Sequence, residues 1–93
     1  MTFDELKKYR KYKKLLLHPD DLSSEQKALL KAECEKIEEY IKAIDDIEIR
    51  IIAEQYFIQG KTFEQIASTK NYERTSVSKK LRQWIQVSHN SHF

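Results

Sequence analysis

One glycine, one proline and one cysteine in 93 residues leave the chain short of the devices on which β and loop-rich folds depend. Tight hairpin turns draw on glycine for positive φ and on proline for a preset φ. With Gly60 and Pro19 the sole examples, an all-β architecture is excluded and a helical one is predicted. Cys34 has no partner for an intramolecular disulfide, and its place inside a helical apolar stripe marks it as a small core residue. No apolar run approaches the roughly 20 residues that cross a bilayer. Nor does the start of the chain carry a charged and then apolar signal segment. The expectation is a soluble, cytoplasmic protein with no membrane partner.

Catalytic and metal chemistry are equally thin. There is no glycine-rich phosphate loop and no nucleophile with a matched base, so no enzyme activity and no cofactor are expected. His18, His89 and His92 form no metal site on this reading. His89 and His92 fall in a polar tail without a cysteine or carboxylate at ligand spacing.

What the chain does have is helical periodicity and segregated charge. Its 40% hydrophobic content is enough for helix packing in a small domain without a metal or disulfide staple. The formal charge is only +2 overall, yet it runs +4 over residues 1–18, −6 over 19–48 and +4 over 49–93. A basic C-terminal half with an acidic middle fits a nucleic-acid contact made by that half, the acidic part facing away.

Residues 1–44 read as a helical hairpin. The first helix, from about Phe3 to Leu17, sets Leu6, Tyr9, Tyr12, Leu15 and Leu16 on or near one side. Pro19 then breaks it, since a residue before proline is pushed out of the helical region. Ser23 restarts the helix with Gln26 three positions on, a capping box. Leu30, Cys34, Ile37, Ile41 and Ile44 follow at spacings of a packed seam. That seam has two candidate partners: the chain's own helices, or a second copy in a homodimer. The run from Lys7 to Lys14 mixes cations with tyrosines. It reads as a solvated face paired with the acidic second helix (Glu33, Glu35, Glu38, Glu39), or as a track for a nucleic-acid backbone.

Residues 45–87 read as a hub helix followed by a helix-turn-helix. Asp45 or Asp46 caps the hub, which runs to about Ile58. Ile49, Ile52, Ala53 and Tyr56 recur at helical spacing, and Ile47, Ile51 and Phe57 widen the apolar surface, so burial on more than one side is expected. Gly60 supplies the left-handed residue that ends it. Thr62 and Gln65 make a second capping box, and Phe63, Ile66 and Ala67 give the next short helix its apolar side. Val77, Leu81, Trp84 and Ile85 form the buried stripe of the last helix. Thr75, Lys79 and Arg82, flanked by Ser78, occupy the other side, and Arg74 reaches outward from the first turn. Residues 88–93 are expected to be a flexible tail.

From about Ile44 to Ile85 the chain resembles region 4 of bacterial sigma factors, and more narrowly the small sigma-region-4-like helix-turn-helix regulators of phages and mobile elements. The pattern is an Asp-started helix ending in Tyr56-Phe57 and Gly60, then Thr-x-x-x-Ile-Ala from Thr62, then Thr75-Ser76-Val77-Ser78-x-x-Leu81. Two positions depart from it: Lys70 and Asn71 stand in the inter-helix turn where the family has an aliphatic residue and glycine, and Glu73 stands where it has a small hydroxyl cap. The resemblance implies an all-α regulator that binds double-stranded DNA in a sequence-specific way. Arg74, Thr75, Ser78, Lys79 and Arg82 would meet the major groove and flanking phosphates. It also implies RNA polymerase as an alternative partner, reached by a protein-interaction module that does not read DNA.

Overall fold

The chain is all-α in a computed structural model that describes residues 1–70 and 73–90. The α-helices among the described residues are α1 (Phe3–Leu17), α2 (Ser24–Lys42), α3 (Ile47–Ala53), α4 (Phe63–Lys70) and α5 (Arg74–Asn90). A short 3₁₀ turn at Pro19–Asp21 joins α1 to α2, and a π-helical turn at Glu54–Ile58 extends α3.

The starts of α1 to α4 are each fixed by a side chain that the sequence supplies. The Ser23 hydroxyl accepts from the Gln26 amide at 3.1 Å while the Gln26 side chain accepts from the Ser23 amide at 2.9 Å. Thr62 and Gln65 make the same exchange at 3.1 and 2.9 Å. Asp46, not Asp45, caps α3 through the Ile49 amide at 3.1 Å. A further box, Thr2 with Glu5, opens α1. Each box satisfies two amides that the first turn would otherwise leave unpaired.

The core is a single cluster. Leu6 and Tyr9 of α1, Cys34, Ile37 and Ile41 of α2, and Ile44 beyond it are buried with Ile49, Ile52, Ala53 and Phe57, and with Ile66, Ala67, Val77, Leu81 and Ile85. The seam of the second helix therefore packs inside the chain, since Cys34, Ile37, Ile41 and Ile44 are all buried. Leu30, the first residue of that seam, is half-buried. α3 and its π-turn touch α1, α2, α4 and α5, which makes them the hub. α1 in addition reaches α5 directly.

Three details differ from the reading of the sequence. Leu15 is 41% exposed, so α1 buries a narrower side than its apolar residues suggested. Ile47 and Ile51 are exposed at 63% and 37%, one turn apart on α3, so the hub is not covered all round. α5 continues to Asn90, which makes residues 88–90 helical where a tail was expected. The turn at Asn71 and Tyr72, and residues 91–93 with His92, lie outside the described residues. Among the described residues no helix is long and apolar enough to cross a membrane, and no group of ligating side chains is placed to hold a metal ion.

Candidate nucleic-acid interface

The π-turn and its closing glycine decide what lines the cleft beside α5. A π-turn inserts one extra residue, so neighbouring side chains that an α-helix would splay apart can both face inward. Phe57 is buried, and Tyr56 lies flat on Phe63, the ring centroids 4.0 Å apart and the planes 7° from parallel. The segment ends with Gln59 N–H donating to Glu54 O at 3.0 Å and Lys61 N–H donating to Gln55 O at 2.9 Å. Gly60 between them has φ +77°, the left-handed conformation that this closure requires.

α4 then packs Ile66 and Ala67 toward Val77 and Leu81 of α5, and all four are buried. Val77 is the one inward-facing residue of the first two turns of α5. Arg74, Thr75 and Lys79 are exposed and Ser78 is half-buried. Arg74, Ser78 and Arg82 follow one another at four-residue steps, so they form one continuous row. Ile85 lies eleven residues beyond Arg74, about three turns, on nearly the same side, yet it is buried. The same side of α5 is thus open at its N-terminal end and enclosed further on.

The open part forms one wall of a cleft of about 730 Å³, lined also by Lys61, Thr62, Phe63 and Glu64 and by Lys7 and Arg10 of α1. Five cations (Lys7, Arg10, Lys61, Arg74 and Arg82) share it with one carboxylate, Glu64. None of the five is held in an ion pair; the pairs formed among the described residues are Lys36 with Glu33 and Lys80 with Glu48. Charges of one sign left unpaired in a concave wall attract anions and concentrate them there.

Of the five residues read from the sequence, the cleft gathers Arg74, Thr75, Ser78 and Arg82. Lys79 is on the other flank, beside Ser76, Lys80 and Ile52. Arg82 is less free than its neighbours, because its Nε donates to the Ser78 hydroxyl at 3.2 Å and its guanidinium lies 4.2 Å from the Phe3 ring centroid. Lys61 has no signal in the sequence, and Lys7 and Arg10 stand there only within the run from Lys7 to Lys14, with nothing to set them beside α5. Their place depends on α1 meeting the π-turn and α5, a tertiary contact that periodicity within one helix does not encode. Arg10 packs against Gly60, where an added Cβ would collide with its guanidinium.

The chain matches no protein-family model, no curated protein and no solved structure.

Proposed function

We propose that the chain is a DNA-binding regulator of transcription, a sigma-region-4-like helix-turn-helix protein of a bacterial phage or mobile element, acting in the cytoplasm without catalytic activity. In this reading α4 and α5 are the helix-turn-helix, and the first turns of α5 enter the major groove. The observation that carries it is the set of Arg74 and Thr75, exposed, and Ser78, half-buried, which line a cleft whose cations outnumber its carboxylates five to one. The Arg74 guanidinium has the fork that matches both acceptors of guanine, while Thr75 and Ser78 suit bases or phosphates. Lys79 and Lys61 act as phosphate contacts at either flank, and Arg82, stacked on Phe3, meets the backbone at the far end of the row.

Selection of bound duplexes from a random pool, followed by titration of the winner and a scrambled duplex, tests this. Enrichment of one motif with weaker binding to the scrambled duplex supports the reading; no retention of any duplex at low salt overturns it.

One observation favours a second reading, a protein-interaction module that contacts RNA polymerase or another protein. Ile47 and Ile51 leave an apolar strip of α3 uncovered, and apolar residues paired on one helix face are what a protein partner would cover. Pull-down of purified polymerase by the wild type but not by Ile47→Ser/Ile51→Ser, with no duplex retained, is the result this reading requires.

A further inference from the structure

We propose that α1 is a second DNA-contacting element, in which Lys7, Arg10, Lys11 and Lys14 form a cationic stripe that binds the phosphate backbone beside the segment read by α5. The inference rests on the DNA reading given above and adds a contact to it. The four residues stand at i, i+3, i+4 and i+7, the spacing that sets side chains on one side of a helix. They cover about 10 Å of its length.

Lys7 and Arg10 line the same cleft as Arg74 and Ser78. Arg10 continues with Lys11 and Lys14 along a second hollow, whose carboxylate is Asp21. The stripe therefore begins at the α5 row and leads away from it. All four side chains are exposed, and none is in an ion pair with another of the described residues.

A stripe meant only to fasten α1 to the acidic α2 would meet carboxylates there. Lys13 is the cation turned to that side: its ammonium lies 5.5 Å from the buried Tyr9 ring centroid, and Tyr9 first and then Glu38 of α2 push its pKa above the ordinary value. Lys7 with Lys11, and Arg10 with Lys14, are like-charge pairs at i, i+4, which repel one another on an isolated helix. A polyanion laid along the stripe relieves that repulsion. Three lysine ammonium groups and the Arg10 guanidinium suit phosphate oxygens, which carry charge but no sequence information.

Binding of the selected duplex and of its scrambled form is measured over a salt series for the wild type, for Lys7→Ala/Arg10→Ala and for Lys11→Ala/Lys14→Ala. Lys31→Ala/Lys42→Ala on exposed sites of α2 is the control for an equal loss of charge. Each α1 double variant is expected to lower the magnitude of the salt slope by up to about 1.8, two phosphate contacts at about 0.9 each. The ratio of specific to scrambled affinity should stay within about twofold, since no base contact is lost. The Lys11/Lys14 variant touches neither Gly60 nor the core, and an unchanged thermal midpoint verifies its fold.

Unchanged slopes in both α1 variants, with binding still lost on Arg74→Ala, overturn the stripe and leave α5 as the sole contact. An equal fall in the α2 control also overturns it, because net charge then explains the effect. If the wild type retains no duplex at any salt, the DNA reading and the stripe fall together.

Discussion

The guanidinium of Arg82 lies over the ring of Phe3, its central carbon 4.2 Å from the centroid, and so ties the last helix to the first turn of the first. Phe3 also meets Phe57 edge-on at 5.1 Å and Tyr56 at 5.8 Å. One aromatic side chain thereby joins α1, the π-turn and the row of residues on α5.

Replacing Phe3 should loosen that junction in two separable steps. Phe3→Leu keeps apolar volume but removes the ring face, and the loss of an exposed cation–π contact costs about 0.5 to 1 kcal/mol. Phe3→Ala removes the packing as well and should cost more. For a domain of this size each kcal/mol corresponds to about 4 to 8 °C in thermal midpoint, so calorimetry can order wild type above Leu above Ala. Equal midpoints for all three would show that Phe3 carries no packing.

Gly60→Ala is expected to destabilise the fold because of backbone conformation more than crowding. A left-handed residue with a Cβ costs about 1 to 2 kcal/mol. The clash with Arg10 involves the far end of a flexible side chain, which can swing away. Gly60→Asn should accordingly be milder than Gly60→Ala, and adding Arg10→Ala should recover little of the loss. Full recovery in that double variant would make crowding the cause instead.

Most of the architecture was legible because the signals are local. Ser23 with Gln26, and Thr62 with Gln65, announce helix starts through groups three residues apart, and Val77, Leu81 and Ile85 mark a buried side by spacing alone. The limits are equally physical. Spacing shows that Ile47 and Ile51 are apolar and helical, but whether another element covers them depends on where α1, α2 and α5 end up. Lys7 and Arg10 belong to a helix more than fifty positions before Arg74, and only the tertiary path through Phe3 and Gly60 brings them together.

Two core substitutions test the packing directly. Leu81→Ala should cost on the order of 2 to 5 kcal/mol, as for other fully buried leucines. Ile37→Asp places an unpaired carboxylate in the α1–α2 seam and should abolish cooperative unfolding at neutral pH. Because the seam is internal, sedimentation of the wild type is not expected to reveal a dimer that Ile37 maintains. A folded Ile37→Asp monomer alongside a wild-type dimer would place the seam at a subunit interface.

Alkaline pH should weaken the fold through two core groups. Burial pushes the Cys34 thiol above its ordinary value of 9.0, and burial followed by the Glu38 carboxylate pushes the Tyr9 hydroxyl above 10.0. Both groups are held neutral in the native state, so it keeps protons that the unfolded chain releases. Their contribution is full below about pH 9 and is lost as pH rises through the raised values. Urea midpoints measured from pH 7 to 11 should fall on the alkaline side, and Cys34 should react with a thiol reagent far faster in denaturant than in buffer. A thiol that reacts at the same rate in both would contradict its burial.

The central claim, that the first turns of α5 read duplex DNA, is tested most directly by comparing Arg74→Ala and Lys79→Ala on the selected and the scrambled duplex over a salt series. Both positions are exposed, so folding should stay nearly intact. Arg74→Ala is predicted to cost about 1 to 3 kcal/mol on the selected duplex and to relax preference at one base pair. Lys79→Ala, on the other flank, should weaken both duplexes alike and lower the salt slope by about one. If both variants bind both duplexes as the parent does at every salt concentration, α5 is not the reading element and the account is contradicted.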